Sequence, residues 1–180
     1  SLDFGSTVNG AFALAPNTGG LTIFGGPVGN AIALASLTTD AGGTTTIHGG
    51  SVTTTGAQTY NDAVTLGADA TLTSTAGGNI AFSSTLNSDG TPRALAVNTG
   101  GTTSFDGAVG GASALASLTT DAAGATAING GSVTTTGAQT YNDPVTLGAD
   151  TTLNAGTDIV FAAAPNSLDG TLMHLVYHDA

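Results

Sequence analysis

The stretch from 36 to 72 returns almost unchanged at 117 to 153, and this 81-residue repeat is the strongest constraint on the fold. The copies differ only at Gly42/Ala123, Thr44/Ala125, Thr46/Ala127, His48/Asn129, Ala63/Pro144 and Ala70/Thr151, so 31 of 37 positions are identical. The match reaches further back at the same offset, with Ala13-Leu14-Ala15 answered by Ala94-Leu95-Ala96 and Asn17-Thr18-Gly19-Gly20 by Asn98-Thr99-Gly100-Gly101. Long internal periods point to a solenoid, in which each unit buries its core against its neighbours.

A finer period lies inside the long one. Aromatic residues recur with an aliphatic four positions on: Phe4/Val8, Phe24/Val28, Tyr60/Val64, Phe82/Leu86, Phe105/Val109 and Tyr141/Val145. His48/Val52 and Asn129/Val133 hold the frame without the aromatic, and Phe161/Pro165 holds it without the aliphatic. The nine occurrences are separated by 20, 24, 12, 22, 23, 24, 12 and 20 residues, and four successive steps make up the 81-residue unit, an average of about 20 per coil. These residues are the expected structural ladder.

Between the landmarks lie Gly5-Ser6-Thr7, Gly25-Gly26-Pro27, Gly49-Gly50-Ser51, Asn61-Asp62-Ala63, Ser83-Ser84-Thr85 and Asp106-Gly107-Ala108. Such residues accept positive φ or hydrogen-bond their own backbone, so each triplet predicts a turn. Pro27 and Pro144 hold the last place of the triplet, where a ladder NH is not needed. After each turn, short pieces such as Val64-Thr65-Leu66, Ala70-Thr71-Leu72-Thr73, Leu21-Thr22-Ile23 and Leu95-Ala96-Val97 alternate apolar with polar, the period of a strand with one buried face. No segment sustains a helical period. The chain is expected to be all-β, a parallel β-helix of nine coils forming a rod on the order of 40 Å long.

The solenoid is expected over residues 1–165, with repeat units at 13–93 and 94–165 after a partial unit at 1–12. Residues 166–180 depart from the pattern and read as a degenerate coil, cap or junction, since an open solenoid end exposes unpaired NH and CO groups. The chain also opens inside a repeat phase, which suggests a segment of something longer.

Composition narrows the partners. All twelve acidic residues are aspartate, lysine is absent and Arg93 is the only strong base, for a formal charge of −11. This balance repels polyanions and offers no footprint for nucleic acid or for an anionic membrane surface. The apolar runs are too short for membrane insertion as a helix. With no cysteine, disulfides and thiolate sites are excluded. A hydrophobic share of 40 % in regular spacing argues for a folded chain rather than a disordered one.

The stretches Gly-Gly-Ser-Val-Thr-Thr-Thr-Gly, Tyr-Asn-Asp-Ala-Val-Thr-Leu-Gly and Thr-Thr-Ser-Phe-Asp-Gly-Ala-Val-Gly-Gly resemble the repeats of giant bacterial surface proteins of the filamentous-haemagglutinin and autotransporter type. That resemblance implies a right-handed parallel β-helix. It also implies a secreted, cell-surface or extracellular fibre in adhesive or biofilm-type roles, with the host or matrix surface among its partners. Flanking repeats of a longer chain, or further copies of the same chain stacked end to end or laterally, are the other expected partners.

Parallel β-helices also house polysaccharide-cleaving enzymes, which need clustered carboxylates and often a base to stabilise negative charge. Here Arg93 stands alone. Asp62 and Asp143 fall in turns four coils apart by the repeat, as do Asp40 and Asp121, so neither couple forms a carboxylate pair. His48 is replaced by Asn129 in the sibling, an exchange natural for a turn. His174 and His178 share strand parity beside Asp179, a nonspecific spacing for a metal. Catalytic, cofactor and metal sites are therefore not expected. Ice binding or polysaccharide binding through outward threonines is the alternative, suggested by Thr44-Thr45-Thr46 and Thr53-Thr54-Thr55 and requiring a Thr-x-Thr face repeated on every coil.

Overall fold

Alternating Val, Ile, Leu and Thr with Gly, Asn and Asp at the breaks leaves the backbone only short extended pieces, and the chain folds as these suggest. The computed structural model describes residues 1–167 and 175–178; among them there is no helix, and the strands are two to six residues long. The strands visit three faces in constant order. The first face carries Leu2–Phe4, Leu21–Phe24, Thr44–Ile47, Ala63–Leu66 and Leu86–Ser88, then passes through a bridge at Val109 to Ser132–Thr134, Thr151–Asn154 and Leu175–His178. The second begins with bridges at Val8 and Val28 and continues through Ser51–Thr54, Ala70–Ser74, Ala94–Thr99, Ser117–Thr120, Gln139–Tyr141 and Ile159–Phe161. The third carries Ala13–Leu14, Ser36–Thr38, Gln58–Tyr60, Ile80–Phe82, Thr102–Phe105, Ala125–Ile128, Val145–Leu147 and Asn166–Ser167. All pairings are parallel, as in Phe4↔Phe24, Val97↔Leu72 and Phe105↔Ile128.

The β-solenoid is therefore as expected, with two corrections to its period. Coils repeat about every 22 residues rather than 20, and there are about 8 of them rather than nine. The landmarks also do not form one ladder. Val8, Val28 and Val52 stack on the second face; Val64, Leu86, Val109 and Val133 stack on the first; Val145 lies on the third. The shortest step between landmarks, from Val52 to Val64, is thus not a short coil but two faces of an ordinary one.

The 81-residue repeat is not four coils either. Ser36–Thr38 lies on the third face and its sibling Ser117–Thr120 on the second; Thr44–Ile47 lies on the first and Ala125–Ile128 on the third; Ser51–Thr54 lies on the second and Ser132–Thr134 on the first. With coils of about 22 residues, the repeat spans three and two-thirds coils, so the sequence returns one face out of step. The same residues fit each face because all three offer the same environment: an inward apolar column and an outward polar one.

The inward columns are continuous. Val28, Val52, Val64, Leu86, Val109, Val133 and Val145 are buried, as are Phe24, Tyr60, Phe82, Phe105 and Tyr141. Phe4, Val8 and Phe161 are partly buried because they lie in the end layers. Rings stack nearly parallel, with centroids 5.4 Å apart for Phe4 and Phe24, 5.1 Å for Tyr60 and Phe82, 5.5 Å for Phe82 and Phe105, and 5.0 Å for Tyr141 and Phe161. Each buried Val or Leu contributes about 1.5–3 kcal/mol.

One landmark slips. Ile47, not His48, continues the column above Phe24, and Ile128, not Asn129, continues it above Phe105. The aliphatic residue takes the core place, His48 turns outward, and the extra corner residue is absorbed at Gly50 and Gly131, which have φ of 71° and 74°. Pro144 likewise shortens its strand by one residue, to Val145–Leu147 against Ala63–Leu66. Beyond Pro165 the ladder goes on, with Asn166↔Thr146 and Leu175↔Thr151. Most of the expected C-terminal departure, at 168–174 and 179–180, lies outside the described residues.

Two measurements check the register. The chain has no cysteine, so Ala81→Cys with Ser104→Cys, paired across neighbouring coils about 4.8 Å apart, should close a disulfide on mild oxidation, seen by thiol titration. Thr65→Cys with Thr146→Cys, siblings in the repeat but on different faces, should stay open. Val64→Asp places an unpaired charge between Thr45 and Leu86 and should cost about 3–5 kcal/mol in denaturant unfolding, with an unchanged midpoint counting against the register.

Candidate functional site

The polar residues that the sequence pattern assigns to turns or outer faces are in part inside. Asp62 opens the corner between the third and first faces and is only 3 % exposed. Its Oδ1 accepts hydrogen bonds from Thr39 Oγ1 at 2.7 Å and Thr45 Oγ1 at 3.1 Å, and its Oδ2 accepts from Thr45 Oγ1 at 2.8 Å. Asp143, 2 % exposed, repeats the cage one face round, accepting from Thr120 at 2.7 Å and from Thr126 at 2.9 Å on each oxygen. The corner is tied down further by Asn61, whose Nδ2 donates to Thr39 O at 2.7 Å, and by Asn142, whose Nδ2 donates to Thr120 O at 2.8 Å. Burial pushes the Asp143 carboxyl above its ordinary value, against the opposing pull of the two threonine hydroxyls.

A second buried network occupies the preceding corner. Gln58 is fully buried, and its Nε2 donates to Val52 O at 3.2 Å and to Thr73 O at 3.0 Å, tying its own coil to the next. Its Oε1 accepts from Tyr60 Oη at 3.0 Å. Burial, then the nearby Asp62 charge, pushes the Tyr60 phenol far up and keeps it a donor. Gln139 and Tyr141 repeat the arrangement, with Nε2 donating to Val133 O at 3.2 Å and to Asn154 O at 2.9 Å. The signal was present in the sequence: Gln58 has the strand parity of Tyr60, which the ladder already assigned inward.

The remaining candidates are placed as follows. Asp40 and Asp121 accept from the backbone NH groups of Thr18 and Thr99 in the preceding coil, at 3.2 Å and 3.0 Å, and so tie one coil to the next. Arg93 forms a bidentate pair with Asp89, Nε to Oδ1 at 3.1 Å and NH2 to Oδ2 at 2.9 Å, which holds the Asp89 carboxyl below its ordinary value. His48 is exposed, with its ring against Gly67. The described residues hold no cluster of three or more potential metal ligands. His174 and Asp179 lie outside the described residues, and His178 is placed only as a strand position opposite Asn154.

The threonine face is formed only in part. The middle members of the two triplets, Thr45 and Thr54, are buried, as the inward parity of a Thr-x-Thr pattern requires. The outer members form doublets that do not persist. On the second face Ser51 and Thr53 are followed by Thr71 and Thr73, then by Ala96 and Asn98. On the first face Thr44 and Thr46 lie between Leu21 and Ile23 on one side and Ala63 and Thr65 on the other. A Thr-x-Thr lattice repeated on every coil is not formed among the described residues.

These cages are sealed from solvent, so what they can do is hold corners. The Asp143 carboxyl binds its proton more tightly folded than unfolded, so its contribution to stability is full below the ordinary carboxylate value and falls as pH rises through the raised folded one. Acidification should therefore raise the thermal midpoint of the unmodified chain relative to that of Asp143→Asn; equal pH slopes in both proteins would refute the assignment.

No family model, no curated protein and no solved structure matches the chain.

Proposed function

We propose that the chain is a structural shaft or filament segment of a bacterial extracellular or cell-surface fibre, acting by length and spacing and not by catalysis. The observation that carries this reading is the parallel ladder continued on all three faces from Leu2–Phe4 to Leu175–His178. Every coil hydrogen-bonds the next along one axis, so an added unit adds length. The polar interior supports the same reading, because Asp62, Asp143, Gln58 and Gln139 use their hydrogen-bonding capacity on the scaffold itself. The absence of lysine beside abundant Gly, Thr, Asn and Asp and the resemblance to surface-protein repeats support a place outside the cell, with adhesion supplied by the shaft surface or by whatever it carries.

Lengthening tests the proposal. Inserting further copies of residues 36–116 should extend the particle by roughly 18 Å per unit, taking about 4.8 Å per coil, as read by the maximum dimension in small-angle X-ray scattering. Growth as a compact particle would sink it. Saturable polysaccharide binding or inhibition of ice recrystallisation by the unmodified chain would replace the spacer role with a binding one.

A further inference from the structure

Arg93 is the chain's one strong base, and it stands at the seam between the sibling repeats: a break after it leaves residues 36–72 in one fragment and 117–153 in the other. An arginine beside an exposed loop is also what a trypsin-type serine protease takes, because the acidic pocket of such an enzyme binds a guanidinium and its cleft accepts the flanking chain in extended form. With no lysine and one arginine, the chain offers that class a single bond, Arg93–Ala94.

The loop before the bond is open to solvent. Asp89, Gly90, Thr91 and Pro92 are exposed, and Gly90 turns the chain with a φ of 100°. The bond itself is held on every side. The Arg93 NH donates to Ser88 Oγ at 3.0 Å, the Arg93 carbonyl accepts from the Ala116 NH at 2.8 Å, and the Ala94 NH donates to Asp69 Oδ1 at 2.9 Å. The guanidinium, which the protease has to take, is folded back onto Asp89 in the same loop. Asp89 also accepts from the Thr91 NH at 3.1 Å and donates its own NH to Leu66 O at 3.0 Å, so the loop is closed on itself and anchored to the coil before. Beyond the bond, Ala94–Thr99 is an interior strand, paired with Ala70–Ser74 on one side and Ser117–Thr120 on the other. Groups from the coil before, the loop itself and the coil after therefore converge on one peptide bond.

The geometry points to a guarded cleavage site: the Asp89–Arg93 pair and the Asp69 side chain clasp the Arg93–Ala94 bond shut against trypsin-type proteases, and cleavage waits on local opening of this coil. Cleavage adds one water across the bond, its hydroxyl to the Arg93 carbonyl carbon and its proton to the Ala94 nitrogen, and separates the two sibling repeats covalently. Its rate follows the population of the open form. The clasp holds or fails independently of the shaft reading.

Trypsin digestion of the full chain tests it, with fragments 1–93 and 94–180 followed by mass spectrometry and folding followed by β-type circular dichroism. The unmodified folded chain should stay intact for times that cut the urea-unfolded chain to completion. Arg93→Lys keeps a side chain that the protease accepts but loses the two-pronged pair with Asp89, and Asp69→Ala frees the Ala94 NH. Each folded variant should be cut roughly three- to tenfold faster than the unmodified chain, as expected for the loss of a part-exposed pair or a single hydrogen bond. Should one variant lose its circular dichroism, the other carries the comparison. Cleavage of the unmodified folded chain as fast as the unfolded one would overturn the proposal, and so would folded variants cut no faster than the unmodified chain.

Discussion

Hydrogen bonding between one coil and the next is what everything else in this molecule depends on. A strand of three or four residues is far too short to persist alone, and no coil closes a core by itself. Stacked about 4.8 Å apart in parallel, the coils satisfy their lateral backbone groups on both sides and place like residues on like. Phe82 lies on Tyr60 and under Phe105, and Leu72 lies between Val52 and Val97, because the backbone register leaves them nowhere else to go. Stability in such an object is carried by neighbour terms, and what happens at the two ends is a separate question from what happens inside.

The corners show how a chain with little charge uses polar residues. Among the described residues Asp62 and Asp143 are buried carboxylates without a cationic partner, each held by two threonine hydroxyls of the preceding coil. Gln58 and Gln139 bridge coils through main-chain carbonyls. A buried polar group left unpaired costs more than a paired one gains. These networks therefore act less as a source of strength than as a penalty on misregister: a coil slipped by two residues, which keeps every side chain on its own side of the strand, would strand an aspartate or an amide in the interior without its partners. Valine columns alone would tolerate such a slip at neighbouring aliphatic positions. The polar cages do not.

Much of this was legible in the sequence, for reasons that can be named. Alternation in Val64-Thr65-Leu66 and the Gly, Asn and Asp breaks mark short strands and turns, while the aromatic–aliphatic frame picks out somewhat under half of the buried apolar residues and passes over others such as Leu37, Ile80 and Leu118. What the frame could not reveal was the face on which a residue lies, because a short step between landmarks and a long one look alike until strand pairing is seen. His48 stands in the frame where Ile47 takes the core place: a ring is the natural successor of Phe24, and the extra residue at Gly50 carries no mark of its own. Thr45, Thr54 and Gln58 were hidden by their polarity. Strand parity with Ile47, Val52 and Tyr60 does mark them inward; what no local pattern contains is the hydrogen-bond partners, largely from other strands and coils, that satisfy them there.

The one-face offset between siblings bears on how a chain of this kind can lengthen. Were the faces different from one another, a tandem duplication would survive only if its length were a whole number of coils, and most duplications would drive outward residues into the core. Because the three faces are interchangeable, a duplicated segment need match only a whole number of faces, each about a third of a 22-residue coil. Genetic accidents of many more lengths are thereby made harmless. The price is that neighbouring duplicates look in different directions, so any feature they share winds around the rod like the thread of a screw.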